Sequence, residues 1–185
     1  MKSLNQLIIT LMACLFSIQA WAQSGKLFNT DNQLSSNLAT QVFQDKSGFI
    51  WIATRNGLNT YDGYHITVIK KDMSNFLGLK SNYINCIAQD DKGHILLGTN
   101  NSLLEFTGSE FLKIPMLDSK GEELATYVKQ VYPLKNKDVA VATSGYGIML
   151  KKQDEQKCYA MKGEVEKLKY IHKLLEDKRG RLWII

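Results

Sequence analysis

The sequence predicts an all-β fold made of four-stranded antiparallel sheets, and three observations predict it. The first is a repeat. Residues 34–63 align without a gap on residues 79–108 at a spacing of 45, with Leu34 on Leu79, Ser36 on Ser81, Asn37 on Asn82, Asp45 on Asp90, Gly48 on Gly93, Thr54 on Thr99 and Leu58 on Leu103. The second is that worn copies recur in nearly the same register. Val139–Thr143 falls on Ile95–Thr99 at a spacing of 44, and Asp177, Gly180 and Trp183 fall on Asp45, Gly48 and Trp51 at three times 44. The third is internal to each copy: short runs of β-branched and aromatic residues are bounded by Gly, Asn, Asp and Ser, the pattern of strands and turns. Four short strands in about 45 residues is the size of one propeller blade. The predicted fold is therefore an incomplete β-propeller of about three four-stranded blades plus part of a fourth.

Residues 1–22 read as a signal peptide. Lys2 supplies a positive start, Leu4 to Ile18 is mostly apolar, and Ala20-Trp21-Ala22 fits a small-x-small cleavage site. Lipid attachment at Cys14 is the rival reading. Residues 23–33 are either a leader or a strand lent to the last blade to close the ring. The repeat frame then gives blade one at 34–78, blade two at 79–123, blade three at 124–168 and the start of blade four at 169–185. In blade one, Ala39–Phe43, Phe49–Thr54, Gly57–Tyr61 and His65–Ile69 are the four strands. Asp45 and Gly48 form the first turn and Asp62-Gly63 a hairpin. The link that follows carries Met73, Phe76 and Leu77, expected over the blade rim. Val165, Leu168, Ile171 and Leu175 stand at helical spacing, but Asp177-x-x-Gly180-x-x-Trp183 fixes the register and demands a strand at Tyr170–Leu175, leaving a helical turn for Glu164–Lys169. The second strand of blade four breaks off before its Gly-Thr, and three blades and a part cannot close a ring. An N-terminal fragment or a truncated gene product is the expectation.

Composition sets further bounds. The chain has 185 residues, 44% hydrophobic and 22% charged, with two prolines, an ordinary globular balance. Its 23 basic and 18 acidic residues give +5, and cleavage removes one basic residue, Lys2, to leave +4. The lysines are scattered through turns, and no Arg-rich helix or aromatic–basic stacking motif points to nucleic acid. Cys86 falls on an inner strand of blade two and Cys158 on an outer strand of blade three, so two unpaired thiols are expected.

The sequence holds little that reads as catalysis. His65, His94 and His172 occupy different blade positions without ligand spacing between them, and none is read as a metal ligand. Asp45, Asp90 and Asp177 read as turn caps rather than converging acids. No phosphate loop, nucleophile elbow or dinucleotide fingerprint occurs. No catalytic residue, metal or cofactor is assigned. Trp51 and Trp183, mid-strand among apolar neighbours, read as core between blades rather than as sugar-stacking platforms. In a meander the loop after strand two and the link between blades emerge on one face. That face collects Arg55, Asn56, Asn100, Asn101 and Tyr146, the candidate ligand-binding set, whose amides, guanidinium and phenol suit a neutral or anionic oligosaccharide by hydrogen bonds and stacking. Plain solvated loops would use the same residue types.

Leu34-x-Ser36-Asn37, Asp45-x-x-Gly48, Ile50-Trp51-Ile52-Ala53-Thr54 and Asn56-Gly57-Leu58 resemble the two-component regulator propeller repeat. The resemblance covers about residues 26–185, and departs from the family's pattern at Ala53, usually glycine, and at Leu96, usually tryptophan. It implies the periplasmic part of a hybrid two-component sensor histidine kinase. In that family such a region precedes a membrane helix, kinase and DNA-binding parts, works as a homodimer, and senses products of polysaccharide breakdown. It implies no enzyme in these residues, and it implies the remaining blades and domains of the parent chain as partners. An exported propeller enzyme, a lyase or glycosidase, is the alternative, as is a non-functional remnant.

Overall fold

In the computed structural model, residues 25–71, 78–163, 168 and 170–185 are described. The signal-peptide assignment, the rim role of Met73, Phe76 and Leu77, and the helical turn at Glu164–Lys169, of which only Leu168 is described, lie outside them. The chain forms strands β1 (Ala39–Gln44), β2 (Ile50–Thr54), β3 (Gly57–Tyr61), β4 (Ile66–Ile69), β5 (Ile84–Gln89), β6 (Ile95–Thr99), β7 (Leu103–Phe106) and β8 (Phe111–Ile114). The remainder are β9 (Met116–Leu117), β10 (Val128–Pro133), β11 (Val139–Thr143), β12 (Ile148–Lys151), β13 (Cys158–Ala160), β14 (Leu174–Glu176) and β15 (Leu182–Ile184), after a 3-10 turn at Thr30–Asn32. No helix among the described residues is long and apolar enough to cross a membrane.

Sheet one runs β1-β2-β3-β4 and sheet two β5-β6-β7-β8, both antiparallel, and β14 pairs with β15 in the fourth sheet. Trp51 and Leu96 therefore occupy equivalent second strands of neighbouring sheets, as the repeat requires. Sheet three runs β10-β11-β12-β13 and gains β9 at its outer edge, parallel to β13. Residues 116–117 thus leave the second repeat to extend the third sheet, held by Cys158 N–H donating to the Pro115 carbonyl at 2.8 Å. The strand expected at Tyr170–Leu175 is shorter and later, at Leu174–Glu176. In the leader, Phe28 packs edge-on against Tyr61 of β3 at 4.9 Å.

The sheets stack face to face, so their middle strands are apolar on both sides. Alternation along β6 shows how. Ile95 and Leu97 point into the seam with sheet one, together with Trp51, Leu58 and Phe111, while Leu96 points into the seam with sheet three, among Val128, Val141 and Met149. Along β11, Val139 and Val141 face sheet two while Ala140 and Ala142 face the fourth sheet with Ile171 and Leu174. The seam between sheets three and four is thinner, and Trp183, whose repeat equivalent Trp51 is 6% exposed, is 55% exposed.

The first strand of each full sheet carries the same bulge, between Ala39 and Gln41, Ile84 and Cys86, and Val128 and Gln130. The bulge aims side chains across the seam. Gln41 accepts from Ile87 N–H at 3.0 Å and donates to the Ile87 carbonyl at 2.9 Å. Gln130 grips Leu174 in the same way, at 2.7 and 3.2 Å. At the middle seam the equivalent residue is Cys86, buried and unable to make that double bond. Burial pushes its thiol up to about 12, and that of Cys158 likewise. Both cysteines are free.

Candidate functional site

Two faces of the stacked sheets carry polar groups, and they differ in what holds them. On the first, the β2–β3, β6–β7 and β11–β12 loops meet the links between sheets. Arg55 N–H donates to the Leu38 carbonyl at 3.1 Å and Gly57 N–H to the Asn82 carbonyl at 2.7 Å. Ser144 N–H donates to the Tyr127 carbonyl at 2.9 Å, and Ser81 Oγ donates to Asn100 Oδ1 at 2.9 Å. Arg55, Asn56, Asn100, Asn101 and Tyr146 are all exposed on this face. The Arg55 guanidinium lies 5.6 Å from the Tyr83 ring centre, and Asn101 is folded back on Thr99 Oγ1. The five residues share a face, but no hydrogen bond or ion pair joins one of them to another among the described residues. They make a spread-out polar surface, not a closed pocket.

The opposite face carries the Asp-x-x-Gly turns, and their geometry follows from the sequence. In the first, Asp45 Oδ1 accepts from the N–H groups of Ser47 and Phe49 at 2.9 and 3.0 Å, and Oδ2 accepts the Trp51 indole N–H at 2.8 Å. Asp177 does the same with Arg179, Arg181 and Trp183, and these donors, Arg181 N–H foremost, hold its carboxyl down to about 2. The aspartates are turn caps, as their spacing suggested. The segment after β9 supplies one more such turn, Asp118 to Gly121, which the repeat frame passed over.

Between sheets one and two this face opens into a cleft of about 560 Å³, lined among others by Phe49, Trp51, Phe106, Lys92 and His94. Trp51 itself serves the core, edge-on to Phe106 at 5.7 Å. His94 is the exception among the three histidines. Its Nδ1 lies 3.1 Å from Glu105 Oε1 and 3.5 Å from Asp90 Oδ2. Sequence spacing among histidines could not find this cluster, because its members come from a turn, the start of β6 and the facing β7. The signal was a buried acid, Glu105, inside an apolar strand.

Residues 33–56 and 78–101 each match the model of the two-component regulator propeller. No curated protein sequence matches the chain. Among solved structures, the extracellular domain of the BT4673 system of B. thetaiotaomicron is similar over 80% of this chain, at 16% identity and a TM-score of 0.68. The extracellular domain of the hybrid two-component system BT3049 of the same organism is similar over 86%, at 15% identity and 0.53. YCF48 of Cyanidioschyzon merolae is similar over 84%, at 14% identity and 0.57. The chain spans 22%, 29% and 52% of these three chains. At such identities the likeness establishes the propeller architecture, and the two matched segments are similar to the two-component regulator propeller repeat.

Proposed function

We propose that the chain forms part of the ligand-sensing, extracytoplasmic propeller of a hybrid two-component histidine kinase, exported to the periplasm and anchored through its parent in the inner membrane. The observation that carries this is the match of residues 33–56 and 78–101 to the regulator repeat, seated on two neighbouring sheets. The resemblance of the fold to extracellular domains of B. thetaiotaomicron systems supports the compartment. The ligand is a polysaccharide-derived oligosaccharide, met on the loop face by Arg55, Asn56, Asn100, Asn101 and Tyr146. Exposed amides match sugar hydroxyls, and Tyr146 offers a stacking surface. Signalling runs through the parent homodimer to transcription.

Calorimetry of the periplasmic region against pools of bacterial and plant glycan fragments tests this. Saturable heat is expected with one pool, weakened roughly tenfold or more, or about 1.4 kcal/mol, by Arg55→Ala or Asn100→Ala. No heat with any pool, or binding indifferent to both substitutions, overturns the sugar-sensing reading.

A further inference from the structure

We propose that Asp90, His94 and Glu105 form a binding site for a first-row divalent cation, Zn(II) foremost. Three independent features lead there. The donors already stand at the right separations. Ligand atoms placed about 2.0–2.2 Å from a tetrahedral zinc are roughly 3.3–3.6 Å from each other. His94 Nδ1 lies 3.1 and 3.5 Å from the two carboxylate oxygens, and all three donor atoms lie within 4.8 Å of one another.

The second feature is charge. The Asp90 and Glu105 side chains are 6% and 3% exposed, and face a single imidazole. Two buried carboxylates so placed leave net negative charge in a low-dielectric seam, which is costly unless a cation compensates it. The buried lysine of β12, Lys151, makes no ion pair with either among the described residues. A divalent ion held by two carboxylates and a neutral imidazole brings the site to zero.

The third feature is the contrast within the chain's own repeats. Asp45 and Asp177 satisfy Oδ2 with a tryptophan indole. In the second repeat Leu96 stands in the tryptophan's place, and Asp90 Oδ2 receives no such donor. In that same repeat, and in no other, His94 replaces the equivalent Phe49 and Glu105 replaces Thr60. Three coincident replacements convert a turn cap into a nitrogen-and-oxygen donor set. One nitrogen and two oxygens suit Zn(II), Mn(II) or Fe(II) rather than calcium. The His94 side chain is 31% exposed, so solvent and an ion can reach the donor set from that side.

The test is calorimetric titration of the whole chain with ZnCl₂, paired with Co(II) absorption spectra. One ion per chain and a Co(II) spectrum with nitrogen ligation are expected. His94→Phe and Glu105→Thr restore residues that the first repeat carries at those positions, so the fold has a precedent for both. Each should weaken Zn(II) binding by more than about 100-fold, beyond the loss caused by removing an outer-shell partner. His65→Ala and His172→Ala should leave it unchanged. Absence of saturable binding, or binding that survives His94→Phe and Glu105→Thr, overturns the site, as does loss of binding in the two control variants.

Discussion

Asp45 engages its turn through both carboxylate oxygens, two backbone N–H groups on one and an indole on the other. Charge-assisted bonds of this kind contribute more than neutral ones. Asp45→Ala leaves three donors unpaired and should lower the unfolding free energy by about 2–3 kcal/mol, read from the urea midpoint; Asp45→Asn should retain part of it. The buried thiols make a second prediction at this scale. Cys86 and Cys158 are raised from the ordinary 9.0 to about 12 by burial, so both stay neutral in the fold. Ellman's reagent at pH 8 should find no reactive thiol among these two until urea unfolds the chain. The sign of the pH effect follows. A raised pKa gives a contribution fully present below about 9, and it is lost as pH climbs from 9 toward 12, because the unfolded thiols ionise first. The turn aspartates were legible in the sequence because an Asx turn is local chemistry over four residues. Glu105 was not, since what it faces is decided across strands.

At the scale of the element, each first strand carries a bulge that points a side chain at the next sheet. Where that residue is glutamine, it binds both backbone groups of the next first strand. At the middle seam Cys86 stands instead, and Gly98 stands where Ala53 and Ala142 do in the flanking repeats. A Cβ at Gly98 would fall on Cys86 Sγ and come within 2.6 Å of Val128 Cγ1. Gly98→Ala should therefore destabilise by about 1–3 kcal/mol through overpacking, although alanine is tolerated in its neighbours. Paired with Cys86→Ala, which removes the nearest of the clashing atoms, the loss should shrink in a double-mutant cycle of thermal unfolding. Strand positions were readable because β-branched runs and turn residues alternate within each repeat. The move of β9 to sheet three was not, since two residues after Pro115 carry no signal of which edge they will join. The third repeat hid its first turn for a similar reason: Lys137 takes the left-handed backbone, at φ 71, where the other copies use glycine.

For the whole molecule, stability is uneven. Sheets one, two and three share thick apolar seams, whereas the fourth is two-stranded and shows Leu175 at 40% and Trp183 at 55% exposure. A two-stranded sheet needs packing to persist. Hydrogen exchange should accordingly find the amides of β5, β6, β10 and β11 protected longest and those of β14 and β15 exchanging first. Uniform protection across all four sheets would contradict this.

The sequence alone determined the kind of sheet, its approximate strands, its aspartate turns and the order in which sheets succeed one another. Those depend on propensity and turn chemistry acting over a few residues, and a repeat multiplies the evidence for them. Only the tertiary structure decided which side chains meet across a seam. Gln41 reaching Ile87, Cys86 against Gly98, and His94 between two acids depend on bulge placement and sheet stacking, which bring together residues that no local pattern connects.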